Sequence, residues 1–232
     1  MEYESNQAYE YNPEKSLIGI NVPINYKEIN MIKKKLNTIC IIFVDKKQLG
    51  TGFFCKIEIK GITKNVLFTN NHVLDENLIK IGSKINIYCN ESYKNIEITK
   101  NRFTCTDKEI DYTCIEILPE DEYYNFLKVE NNINTLSPFK TYKNDKIVII
   151  QYPHEYCPDF GFGKIEKYCK KSNLLYYSIP TIPGSSGSPI LSYNRNLDVI
   201  GIHCGSPKDS KTVNIGKFLK EILDDIEKKY KN

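Results

Sequence analysis

The feature that most restricts the fold of this 232-residue chain is a long succession of short apolar or alternating runs, rich in Ile, Val, Phe and Tyr. Lys, Asn, Gly and Asp turn signals separate them, so each run reads as a strand. Six fall near 37–45, 50–59, 64–69, 84–90, 94–103 and 111–118. Six more follow near 145–152, 161–168, 174–179, 188–192, 197–204 and 210–214. With no long helix between them, such strands close or stack as antiparallel sheets, because closure removes exposed edges. The expected fold is therefore all-β: two six-stranded antiparallel β-barrels packed together. Ile215, Phe218, Leu219, Ile222, Leu223 and Ile226 then recur at helical spacing, so an amphipathic C-terminal α-helix is expected over 215–230.

The same patterning divides the chain. Residues 1–30 form an N-terminal extension, polar and without sustained periodicity until a short helical pattern begins at Tyr26. Residues 31–232 form one domain, with barrel one over about 37–118, a polar connector over 119–143 and barrel two over about 144–214.

A net charge of +3, with lysines spread along the chain, points away from nucleic acid as a partner. The run Lys33, Lys34, Lys35 reads as a solvated helix face. The longest apolar run, Ile39–Val44, has strand length, so no membrane anchor is expected. The first residues are acidic and tyrosine-rich, without the basic start and apolar stretch of a secretory signal, and a cytoplasmic location is expected. The eight cysteines show no CxxC pair, which fits reduced thiols and no metal site, and no cofactor is called for.

Three stretches carry chemistry. Pro183-Gly184-Ser185-Ser186-Gly187-Ser188-Pro189-Ile190 is a small-residue turn before an apolar strand, where N–H groups can converge beside the Ser186 hydroxyl. A plain Gly/Ser turn would look similar. Val66-Leu67-Phe68-Thr69-Asn70-Asn71-His72-Val73-Leu74 puts His72 at a strand end. An imidazole there suits proton transfer at neutral pH, although a structural histidine fits too. In Ile110-Asp111-Tyr112-Thr113-Cys114-Ile115-Glu116 the acid sits at the mouth of a half-buried strand, where an imidazole N–H is a fitting partner. A turn-capping aspartate is the alternative, with Asp107 the nearest rival for the role.

TNNHVL, DYTCIEI and PGSSGSPIL, in that order, resemble the His, Asp and Ser motifs of the chymotrypsin-like (trypsin-like) serine peptidases over about residues 36–228. Gly50-Thr51-Gly52-Phe53-Phe54 is similar to the family's strand ahead of the histidine. The resemblance implies a serine endopeptidase acting on a polypeptide substrate. Ser186 is then the nucleophile, His72 the general base and Asp111 its orienting acid, with the N–H groups of Gly184 and Ser186 as oxyanion hole. A catalytically inactive domain of the same fold, used to bind protein, is the rival reading.

Thr181, five residues before Ser186, and His203 are polar in apolar settings. The pair resembles the substrate pocket of bacterial glutamyl endopeptidases and of related viral proteases that cut after Gln, which implies Glu or Gln before the cut. Ser185 stands where trypsin-type zymogens carry an aspartate, and no IVGG-like start precedes the first strand, so activation through a freed N-terminal amine is not expected. His154, just after a strand of the second half, reads as structural or pocket-rim.

Overall fold

The structure is a computed structural model that describes residues 26–44, 47–134, 138–143, 145–154, 156–207 and 213–230. The expected extension over 1–30 lies outside the described residues as far as residue 25. Helix α1 (Tyr26–Leu36) leads into β1 (Ile39–Val44), β2 (Lys47–Ile59), β3 (Ile62–Thr69), β4 (Lys84–Cys89), β5 (Ser92–Glu97), β6 (Thr104–Asp107) and β7 (Tyr112–Glu116). The connector holds β8 (Leu127–Lys128) and α2 (Pro138–Tyr142). The second half comprises β9 (Lys146–His154), β10 (Cys157–Cys169), β11 (Leu174–Tyr177), β12 (Pro189–Ser192), β13 (Asp198–Gly205) and β14 (Asn214–Phe218), and α3 (Leu219–Lys229) ends the chain.

The second half is the closed six-stranded barrel expected, in the order β10-β11-β14-β13-β12-β9 with β9 returning to β10. The first half differs. It is an eight-stranded sheet in the order β5-β4-β1-β2-β3-β7-β6, with β8 paired in parallel to β2, and its hydrogen-bonded path does not join β5 to β6. The expected strand over 94–103 is broken: the chain leaves the sheet after Glu97 and re-enters as β6. Arg102 occupies that seam. Its Nε donates to Glu97 O at 2.8 Å and its Nη1 to Glu116 O at 2.6 Å, while the guanidinium forks onto the Asp121 carboxylate at 2.6 and 2.9 Å. A buried guanidinium is tolerated only with such full pairing. The helix expected from 215 begins at Leu219, because 214–218 are taken into β14, paired on both sides by β11 and β13.

Alternation accounts for how the halves meet. Along β1, Cys40 and Ile42 point into the first sheet's own core with Phe54, Leu67, Ile87 and Ile115. Ile39, Ile41 and Phe43 point the other way, into a core continuous with Ile149, Ile190 and Val199 of the closed barrel. A strand buried on both faces reads as an unbroken apolar run, which β1 is. The turns Lys60-Gly61 and Asn90-Glu91, all at positive φ, make tight two-residue hairpins. Helix α3 buries Leu219, Ile222 and Ile226. It reaches the first sheet through Tyr112, whose hydroxyl donates to Asp225 at 2.6 Å. None of the helices among the described residues is long and apolar enough to cross a membrane.

Candidate active site

His72 lies in the turn that follows β3, with its side chain 36% exposed, whereas the Asp111 side chain is 5% exposed. The Asp111 carboxylate sits 2.9 and 3.0 Å from His72 Nδ1, and it also accepts the main-chain N–H of His72 at 3.1 Å. A carboxylate facing Nδ1 places the proton there and leaves Nε2 as the basic nitrogen. Asp111 has a φ of +61°, a conformation that non-glycine residues keep only where the surroundings impose it. Asp107, the rival acid, caps a turn: its Oδ1 accepts the N–H groups of Glu109 and Ile110, and its other oxygen pairs with Lys229.

Ser186 stands between two glycines at positive φ, Gly184 at +95° and Gly187 at +88°. Its Oγ faces the Cys204 carbonyl at 3.5 Å. The loop is pinned to the first sheet. Gly50 lies between the His72 turn and that loop: a Cβ built on it would meet Val73, next to His72, at 2.8 Å and Ser186 O at 2.9 Å. Ser185 and Ser188 are buried and bond within the loop, Ser185 Oγ to Ile182 O at 2.6 Å and Ser188 Oγ to Ser185 O at 2.7 Å. Among the described residues, the N–H groups of Gly184 and Ser186 donate to no protein acceptor.

Thr51 is the residue that sequence reasoning undervalued. Its N–H donates to Ser186 O at 2.8 Å, its Oγ1 donates to Gly184 O at 2.8 Å and accepts Tyr152 N–H at 3.1 Å, and its carbonyl accepts Thr69 Oγ1 at 2.9 Å. One side chain thus joins β2, β9 and the Ser186 loop. The Gly50-Thr51-Gly52 motif was the available signal, since small neighbours permit that close approach. Replacing Thr51 by Val keeps the shape but leaves a buried N–H and a carbonyl unmatched. The expected result is about 1–3 kcal/mol lower stability in thermal melts.

Thr181 and His203 are 5% and 2% exposed. Thr181 Oγ1 accepts from Asn214 Nδ2 at 2.7 Å, and His203 Nδ1 lies 2.6 Å from the Tyr177 hydroxyl. Asn214 and Tyr177, unremarked in the sequence, position the pair. Burial, with the charge of His72 adding to it, pushes the His203 imidazole down to about 3, so it is neutral at pH 7. Burial likewise holds the Tyr177 phenol well above its ordinary range. His154 ends β9.

A two-sheet β fold with one closed six-stranded barrel and a C-terminal helix is that of the chymotrypsin-like class of serine proteases. Residues 50–202 match the trypsin-like peptidase domain family, and the chain belongs to that family. The fold is similar to that of the active form of the Rv3671c protease from M. tuberculosis, with a TM-score of 0.62 and 15% identity over 96% of this chain and 93% of that one. It is also similar to the serine endoprotease of Yersinia pestis, with a TM-score of 0.63 and 16% identity over 90% of this chain and 67% of that one. The serine protease of human astrovirus matches at a TM-score of 0.55 and 18% identity over 79% and 90% of the two chains. In sequence, 183 residues are 25% identical to the secreted RxLR effector protein 73 of Plasmopara viticola, over 69% of this chain. The chain spans 43% of the length of that relative.

Proposed function

We propose that this chain is a serine endopeptidase in which Ser186 Oγ attacks the scissile carbonyl, His72 takes and returns the proton, and Asp111 steadies the imidazolium. The observation that carries the reading is the Asp111 carboxylate 2.9 Å from His72 Nδ1, which selects the tautomer that a general base needs. The open N–H groups of Gly184 and Ser186 would hold the oxyanion of the tetrahedral intermediate. Hydrolysis then runs through an acyl-enzyme at Ser186, released by water that His72 activates in turn. The division into an N-terminal extension over 1–30 and a peptidase domain over 31–232, and a cytoplasmic location, belong to the same reading. Reaction with a fluorophosphonate tests it: covalent labelling at Ser186 is expected, and folded protein that never labels would favour the inactive, protein-binding alternative.

Thr181 and His203 form the primary pocket in this reading, and the hydrogen bonds behind them decide what they offer. Thr181 Oγ1 already accepts from Asn214, and among the described residues its own O–H has no acceptor, so it can donate. The Tyr177 hydroxyl has one proton and two neighbours, His203 Nδ1 at 2.6 Å and Ile215 O at 3.3 Å; in this reading the shorter contact takes it, and His203 then keeps its own proton on Nε2. Two neutral donors suit the side-chain oxygen of Glu or Gln. A carboxylate would enter without a counter-charge, because His203 is neutral far below pH 7, and desolvating an unpaired charge is costly. Peptides with Gln before the cut are therefore expected to exceed their Glu counterparts in kcat/KM by about tenfold at pH 7. The gap should narrow as pH falls towards 5, since a growing fraction of Glu becomes neutral while His203 does not change. A library screen that returns Arg, Leu or Ala at that position would discard the pocket.

A further inference from the structure

Asn70 precedes His72 by two residues and is fully buried. Its main-chain carbonyl accepts the N–H groups of Val73 and Leu74, so it is built into the turn that carries His72. Its side-chain Nδ2 donates to the main-chain carbonyl of Asp111 at 3.0 Å and lies 3.7 Å from Cys204 Sγ. A single amide therefore touches the His72 turn, the Asp111 turn and strand β13, whose Cys204 carbonyl faces Ser186 Oγ. Neighbouring contacts do less. Asn71 Nδ2 donates to Thr106 Oγ1 at 2.8 Å and Thr113 Oγ1 donates to Leu74 O at 2.5 Å, and both stay within the first sheet.

Two further observations separate Asn70 from ordinary scaffolding. Asp111 is held at a φ of +61°, and the Asn70 amide grips the carbonyl of that strained residue. Asn70 Oδ1 is buried without a donor among the described residues. An orphaned buried acceptor weakens a fold, so stability is a poor account of why an amide stands there.

We propose that Asn70 is a positioning residue that holds the Asp111 carboxylate in register with His72 and ties that pair to the strand behind Ser186. The inference rests on the roles given above to His72, Asp111 and Ser186. Without the amide, the Asp111 turn relaxes from its left-handed conformation and the carboxylate swings away from Nδ1. The imidazolium that forms during proton transfer then loses part of its stabilisation.

The test compares Asn70→Ala and Asn70→Asp with the wild type; the second variant keeps the volume while replacing the donor by an acceptor. Active sites are counted by fluorophosphonate titration, so misfolded protein does not enter kcat. The expected result is a fall of about tenfold or more in kcat per titrated site with KM within about twofold, the pattern of an interaction made in the transition state. In Asn70→Ala, where no charge is added, the acidic limb of the kcat/KM profile should move to lower pH. Proton NMR supplies a readout independent of hydrolysis. The chain has three histidines, and the ring Nδ1–H of His72 facing Asp111 should resonate far downfield in the wild type and shift or vanish in both variants. Loss of that resonance in both variants of a wild type that itself neither labels nor cleaves peptides would uphold Asn70 and reject the peptidase. An unmoved resonance in both variants and an unmoved pH limb in Asn70→Ala, with only the melting temperature lowered, would overturn the positioning role.

Discussion

Ser186→Ala is expected to abolish fluorophosphonate labelling and to lower kcat by about 10,000- to 1,000,000-fold, while the protein melts within about 2 °C of the wild type. The rate effect is large because the hydroxyl is the only group of the proposed mechanism that forms a bond to substrate carbon. The stability effect is small because the hydrogen bond from Ser186 Oγ to Cys204 O is long, 3.5 Å, and the side chain is only partly buried. The loop geometry belongs to its neighbours: Ser185, Ser188, Thr51 and two glycines hold it without the nucleophile's help. Residual hydrolysis of about 1,000- to 10,000-fold over water should persist, since the N–H groups of Gly184 and residue 186 survive the change. Peptide hydrolysis at an unchanged rate in the alanine variant would reject Ser186 as nucleophile.

Gly187→Ala is expected to be the most damaging single methyl in the site. Gly187 has a φ of +88°, which costs a side chain about 1–2 kcal/mol by itself. A Cβ there would also stand 2.0 Å from Thr51 O and 2.4 Å from Thr69 Oγ1. Both atoms belong to the clamp between the first sheet and the Ser186 loop, and neither is the free end of a flexible chain. Relief requires parting that clamp, so a total loss of at least about 3 kcal/mol and no detectable labelling are expected. Gly61→Ala is the control. Gly61 also has a positive φ, +78°, but nothing lies within 4 Å of its Cβ position. It should lose only the backbone part, about 1–2 kcal/mol, and keep full labelling. Equal losses at the two positions in urea titrations would mean that close packing at Gly187 contributes nothing.

Much of this molecule was legible in advance, and the misses have a common cause. Ile96 and Ile98 alternate and Phe103 follows soon after, so 94–103 reads as one strand; the break after Glu97 depends on Arg102 finding Asp121, 19 residues away. Ile215 and Phe218 fit the helical spacing of the segment after them, yet they sit in β14 because β11 and β13 both offer it partners. Local periodicity serves strand and helix alike there, and pairing overrides it. Tyr177 and Asn214 gave no signal of their own: each is one more polar atom on an alternating strand until its partner across the barrel, His203 or Thr181, is known.

Periodicity and small-residue turns are properties of neighbouring residues, so the strands, the order of the His, Asp and Ser motifs and the glycines that flank Ser186 were all written locally in the chain. Which acid faces His72, and what clamps the cleft, were not. Asp107 and Asp111 lie in one turn, and only the packing of β3 against β7 brings the carboxylate of Asp111 to a ring 39 residues earlier. Thr51 and Gly184 are 133 residues apart, and their hydrogen bond exists because two separately formed sheets bury a shared apolar face. Side-chain chemistry is local, but a hydrogen bond between distant residues is decided by the burial that drives the chain together.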